Sequence, residues 1–466
     1  MNKILYILLI SLSYSATLLV PESFQTIQSA IDVASDGDTI LVHPGTYNET
    51  IDYKRKNLVI ASLYLLDMDE SYIDQTIIVN TNPNIYPIVQ IDGISEPEVQ
   101  LNGFTFQDIN LTSDFEPELV SSSIINILNA SPKILNNRFK NFYIDSQSES
   151  AVILCNNSNA EIKNNIFSEG TIGLNYNLVG WILSKNSNLL VNNNLIQNGY
   201  VGFADPAGYV VSLNSNNTIS ENIFRNVSMG YCSDCAAIVM LEESNIAINN
   251  NLIFGASGDG FGAVLALQSE YISNNNTLVS NRGGYANFSS NGVIHNDIIS
   301  LLSSGWGATI ALDENSSLNI TYSNIEGGYD GLGNIDLDSK FINPDLYDFR
   351  LEEDSPCIDA GSPESDLDPD GTRADIGAYY YHQPVICESN YIEIDGHCLY
   401  ESDINFLQTL IDNSYSSGID LGCQDGDSYC GSPNPFMDSS DSWMWVSIDN
   451  ESYESSTNDN NLVEPL

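Results

Sequence analysis

The chain has 466 residues, 42% of them apolar, with 14 Lys plus Arg against 62 Asp plus Glu and a formal charge of −48. That length holds one large domain and a small one. The charge excludes a nucleic-acid-binding surface, which needs a basic footprint, and a polybasic membrane-surface role. Only 16% of residues are charged, so the chain is not a charge-driven disordered polymer.

The chain starts with Met1-Asn2-Lys3, an apolar run from Ile4 to Leu12, and small residues up to Ala16. This pattern predicts an export signal over residues 1–16. The run is too short to span a bilayer, and no later segment is apolar for long enough, so no membrane insertion is expected after cleavage. A short helix follows. Ile27, Ala30, Ile31 and Ala34 form one apolar stripe, with Ser23 as the expected cap and Gly37 just past the end. Thr39–Val42 reads as a strand and Pro44-Gly45 as a turn.

The strongest signal is an internal repeat. Segments such as Ile162-Lys-Asn-Asn-Ile-Phe167, Val191-Asn-Asn-Asn-Leu-Ile196 and Ile248-Asn-Asn-Asn-Leu-Ile253 recur, with an anchoring Asn at 137, 165, 194, 222, 251, 276, 296 and 324. The steps are 28, 29, 28, 29, 25, 20 and 28 residues. A propeller blade would be longer, at roughly 40–45 residues, and leucine-rich repeats would show Leu at fixed offsets. Short alternating strands broken by Asn and Gly, stacked on copies of themselves, predict an all-β parallel β-helix over residues 17–383. Asn tolerates the left-handed corner conformation, and its amide can bond to the Asn one rung away.

The segments Phe24-Gln-Thr-Ile-Gln-Ser-Ala-Ile31, Gly37-Asp-Thr-Ile-Leu-Val42 and Pro44-Gly-Thr-Tyr-Asn-Glu49 resemble the N-terminal cap and first rung of pectate-lyase-like right-handed parallel β-helix proteins. The resemblance implies a right-handed solenoid with a helical cap. That family includes lyases, hydrolases, epimerases and non-catalytic surface proteins, so it does not select an activity. Ser355–Pro363 and Asp366–Tyr379 resemble the closing segment of secreted bacterial β-helix surface proteins. Beyond Arg373 there is no Lys or Arg against 17 acidic residues. This shift places a boundary near Pro384 and makes 384–466 a small Cys-bearing module. Its segment Cys387–Cys398 and the stretch Ser402–Asp412, with Ile404, Leu407 and Ile411 on one helical face, resemble the lead-in placed before leucine-rich repeats in some bacterial surface proteins. No such repeats follow up to Leu466, which is read as the mark of a truncated chain.

Eight cysteines suit an oxidising compartment. Cys387 with Cys398 and Cys423 with Cys430 are expected local bridges. Cys232-Ser-Asp-Cys235 is a tight disulfide, a thiol pair or half a metal site. Cys155 and Cys357 read as buried apolar residues.

The candidate chemistry is sparse. A polysaccharide lyase on this scaffold needs a basic residue and a charge neutraliser, and Arg225 and Arg282 are the candidates, with Glu242 and Glu243 between them as calcium ligands or plain surface carboxylates. Asp259 stands alone where a glycosidase needs several aspartates. No Gly-x-Ser-x-Gly elbow is present. Once per rung a Gly precedes an aromatic residue. Tyr200, Tyr231, Tyr285, Trp306 and Tyr329 are therefore the expected carbohydrate contacts if the rings line the outside, or a core stack with Phe261 if they line the inside. Asp366-x-Asp368-x-Asp370-Gly371 has calcium-loop spacing, with Asp375 as a further ligand; the alternative is an acidic turn paired with Arg373. The expected function is an exported, non-catalytic protein that binds a polysaccharide or another surface. A calcium-assisted lyase acting by β-elimination is the alternative.

Overall fold

The computed structural model describes residues 15–466 apart from 81–86, 95–97, 113–121, 146–148, 174–177, 203, 205, 231, 233, 301–307, 384–386, 388, 395–396, 417–443, 447–451 and 455–466. The export signal, Tyr231, Trp306, Cys423 and Cys430 therefore fall wholly or almost wholly outside the described residues. The chain divides into two compact units, residues 1–362 with 375–379, and residues 363–374 with 380–466. That division begins about twenty residues before the boundary expected from composition.

The first unit is a parallel β-helix. Its strands form three sheets, here called A, B and C. A regular coil gives one strand to each of sheets A and C and two short strands, or one longer one, to sheet B. In one coil, Ser150–Asn156 belongs to sheet C, Glu161–Lys163 to sheet A and Ile166–Ser168 to sheet B. The next coil repeats the order with Val179–Lys185, Leu190–Asn192 and Leu195–Gln197. All pairings between coils in these sheets are parallel and in register: Ile162 lies over Val191, and Val191 over Ile219. Like positions therefore form columns along the axis. Inward positions stack Phe106, Phe139 and Phe167 with ring centroids 5.0 and 4.8 Å apart, an arrangement that adds to simple burial.

The corner between sheets A and B holds the expected ladder, with a division of labour that the repeat did not show. The first residue of the corner adopts the left-handed conformation, as at Asn136, Asn164, Asn193 and Asn250. The second is buried and bonds along the axis. Asn165 Oδ1 accepts from the backbone N–H and Nδ2 of Asn137, at 2.9 and 3.1 Å, and its own Nδ2 donates to Ile134 O. The same pattern continues through Asn194, Asn222, Asn251 and Asn276. At the next coil the acceptor is Asp297 and not Asn296, and after it Ser323 and not Asn324. Asn296 and Tyr322 take the left-handed position, so the last two anchors are displaced by one residue.

The first coil is closed by helix α1 (Ile27–Val33), whose Ile27, Ala30 and Ile31 are buried. The cap is Thr26, not Ser23. Thr26 is extended, and its side chain accepts from Ser29 N, whereas Ser23 N turns back to Leu19 O. Glu49 Oε1 and Oε2 accept from Ile27 N and Gln28 N, placing a carboxylate on the positive helix end. Lys56 Nζ donates to Ile31 O, Asp32 O and Ala34 O at the other end.

The second unit contains an antiparallel hairpin, Tyr391–Ile394 with His397–Tyr400, tied by the Cys387–Cys398 disulfide. The helix Glu401–Ser416 follows, with Ile404 buried, and then a second hairpin, Met444–Val446 with Ser452–Glu454. In the first unit Cys232 and Cys235 form a disulfide, and Cys155 and Cys357 are buried thiols.

Candidate functional site

A parallel coil converts sequence offset into place. A residue three positions beyond the ladder residue stands on the outer face of sheet B, and a residue six beyond stands beside it. The three-residue offset gives Lys140, Ser168, Gln197 and Arg225, in register with one another and with Gln107. All five are half-buried. Arg225 Nε donates to Gln197 Oε1 at 2.6 Å. The six-residue offset gives Tyr143, Thr171, Tyr200 and Ser228. Tyr143 and Tyr200 therefore share one outward column two coils apart, roughly 10 Å by strand spacing. On the other side run Ile166, Leu195 and Ile223, also half-buried.

This strip is close to charge balance in a strongly acidic chain. Lys140 and Arg225 lie in the column, and Asp108 and Glu169 follow Gln107 and Ser168 of it at exposed left-handed positions. Arg138, at one end, is held by Glu70 and Asp74.

The Gly–aromatic residues do not form one line. Tyr200 lies on sheet B, while Tyr285 lies in sheet C, 1% exposed, with its ring stacked on Tyr271. Its hydroxyl donates to Asp297 Oδ2 at 2.6 Å, and burial raises its pKa well above the usual tyrosine value. Tyr285 is thus a core residue and offers no face to a ligand. Tyr329 is half-buried against the last coil, its hydroxyl reaching Leu318 O at 3.5 Å. Phe261 packs edge-on against Phe288. The cause is register: the Gly precedes a strand of sheet B in one coil and of sheet C in another. Tyr143 lacks a preceding Gly and escaped the pattern, although its offset from Asn137 equals that of Tyr200 from Asn194.

The lyase candidates Arg225 and Arg282 belong to coils two rungs apart, since Arg225 is in register with Phe254 and Phe254 with Val279. Arg225 sits within a strand of sheet B. Arg282 follows a later strand and is bound through Nη1 to Asp259 Oδ1 at 3.1 Å. Glu242 and Glu243 are exposed, both with positive φ at a corner of the coil. The outer face of sheet C is apolar where the coils are most regular, with Leu154, Leu183, Val211, Val239 and Leu265 in one column.

Of the expected calcium ligands, Asp366, Asp368 and Asp370 belong to the second unit and Asp375 to the first. Asp370 is already engaged: Oδ1 accepts from Thr372 N and Oγ1, and Oδ2 from Gln383 N. Asp375 Oδ1 accepts from Asp359 N. Among the described residues, no three His, Cys, Asp or Glu side chains gather at ligand distance.

One buried acid was not anticipated. Asp297 is fully buried. Oδ1 accepts from Asn276 N and Nδ2, and Oδ2 from Tyr285 Oη and Ser273 Oγ. Burial outweighs these hydrogen bonds and pushes its pKa up to about 6.

Residues 88–277 match the family model described as the right handed beta helix region. No curated protein matches the chain. Among solved structures, pectate lyase Pel9A is 12% identical over 79% of this chain and 97% of its own, with a TM-score of 0.43. The PL6 family alginate lyase AlyGC is 14% identical over 70% of this chain and 54% of its own, with a TM-score of 0.34. The A-module of the Azotobacter vinelandii mannuronan C-5 epimerase AlgE6 is 13% identical over 63% of this chain and 93% of its own, with a TM-score of 0.23. The chain spans about half the length of the alginate lyase it resembles. Likenesses this distant carry no argument about activity. The fold rests on the family match and the coil geometry.

Proposed function

We propose, for a chain whose residues 88–277 match the model of the right handed beta helix region, an exported, non-catalytic protein that binds polysaccharide along the outer face of sheet B. The observation that carries this reading is the column holding Tyr143 and Tyr200 beside the hydrogen-bonding column Gln107, Lys140, Ser168, Gln197 and Arg225. Sugar rings pack their C–H faces on aromatic faces, and their hydroxyls exchange hydrogen bonds with amides and guanidinium groups. Near charge balance on this strip fits an uncharged glycan, whereas the net charge of −48 repels polyuronates elsewhere on the surface. Two disulfides support an oxidising destination.

The test is retention of the full chain on a panel of immobilised neutral and acidic polysaccharides, with release of unsaturated product followed in parallel. Retention on a neutral glycan is expected, falling at least about tenfold in the Tyr143→Ala, Tyr200→Ala double variant. Retention on no glycan refutes the proposal. Unsaturated product that disappears in Arg225→Ala or Arg282→Ala replaces it with the lyase reading.

A further inference from the structure

The outer face of sheet C carries a cleft that the carbohydrate reading does not use. Leu213, Leu241, Leu267 and Phe288 follow one another in register over four coils and form one wall. Opposite them stand Leu178, Pro206 and Asp234, each just before a strand whose first residues, Val179, Ala207 and Cys235, are also in register. The cleft between the walls has a volume of about 520 Å³. Beneath it Leu183, Val211, Val239 and Leu265 form an apolar cluster separate from the interior of the coil. Leu178, Leu213, Leu267 and Phe288 remain half-exposed at the mouth.

Among the described residues, the charges that line this cleft are acidic. They are those of Asp234 and Glu242, and Glu242 is exposed. The neighbouring cation on this face, Lys185, lies in register with Leu213 and is held by Glu149. An apolar floor with a charged rim is the composition of a protein-docking surface. A Leu and Val floor gives sugar hydroxyls no partners. A second copy of this chain would bring another −48 charges to an acidic rim.

We propose that this cleft docks a cationic polypeptide segment with large apolar side chains. The apolar side chains fill the space between the Leu213–Phe288 wall and Leu178, and the flanking lysines or arginines meet Asp234 and Glu242. The inference is independent of glycan binding, since it uses a different sheet and different residues.

The test uses the full chain and fluorescence anisotropy of labelled synthetic peptides. An alternating Lys–Leu peptide is the probe, and Lys–Ser and Glu–Leu peptides of equal length are the controls. The Lys–Leu peptide is expected to bind and to weaken with salt. Its affinity is expected to fall at least about tenfold in Phe288→Ser and in the Asp234→Lys, Glu242→Lys double variant. Glu242→Lys alone, at an exposed position, keeps the test decisive where Phe288→Ser fails to fold. Equal binding of the Lys–Ser peptide would reduce the effect to diffuse attraction by an acidic surface and overturn the proposal. Absent binding, or binding unchanged in every variant, overturns it as well. Glycan retention unchanged in these variants separates the outcome from the fate of the sheet B reading.

Discussion

Replacing Asp297 by Asn should stabilise the coil at neutral pH and not at acid pH. The ladder from Asn137 to Asn276 uses uncharged amides, and Asp297 follows them with a carboxylate that is 0% exposed. Its pKa rises from 3.8 to about 6. The folded state therefore holds this proton more tightly than the unfolded chain, and the stability it contributes is complete below pH 3.8 and is lost as pH rises through 6. Above that range the lost contribution is about 3 kcal/mol, from a shift of roughly two units at 1.4 kcal/mol each. Asparagine removes the charge and keeps an oxygen for Asn276 N and Nδ2. Its Nδ2 then faces Tyr285 Oη and Ser273 Oγ, hydroxyls that rotate to accept as readily as to donate. Urea unfolding of both proteins at pH 4.5 and pH 8 isolates the effect, because all other titrating groups are shared. The variant should gain about 1–3 kcal/mol over the wild type at pH 8 and lose most of that advantage at pH 4.5. A difference between the two proteins that does not change with pH would refute the reasoning.

Asn194→Ala removes the acceptor of Asn165 N and Nδ2 in a buried corner. Asn165 Nδ2 keeps Ile134 O and Lys163 O, so one buried donor, Asn165 N, is left without a partner, at a cost of about 1–3 kcal/mol, read as a lower urea midpoint at unchanged slope. The acidic turn at Asp366, Asp368 and Asp370 should give the same thermal midpoint in calcium and in chelator, because the Asp370 oxygens already serve the turn. A rise in calcium that is lost in Asp368→Asn would assign the loop to the cation.

The coil was legible because Asn recurs at a position where only the ladder geometry wants it. Six of the eight anchors fall on the ladder. The last two miss because Asp297 and Ser323 supply the oxygen there while an Asn happens to stand beside each. The binding strip was half legible. Tyr200 carries the glycine signature, whereas Tyr143 is visible only by its offset from Asn137, which needs the register to be known first. The cleft on sheet C was hidden altogether. Cys235-Ala-Ala-Ile-Val-Met-Leu241 reads as one apolar run, and such a run does not distinguish inward from outward positions. Its outward members proved to be Ala236, Val239 and Leu241.

The closed first coil has a consequence for how these molecules meet. A stack of parallel strands is also a seed for its own lengthening, since the terminal strand offers an unpaired row of amides to any extended chain. Helix α1 lies across the interior of the first coil with its ends pinned by Glu49 and Lys56. A strand added over the interior at this end would have to displace a seven-residue helix anchored by a carboxylate and an ammonium.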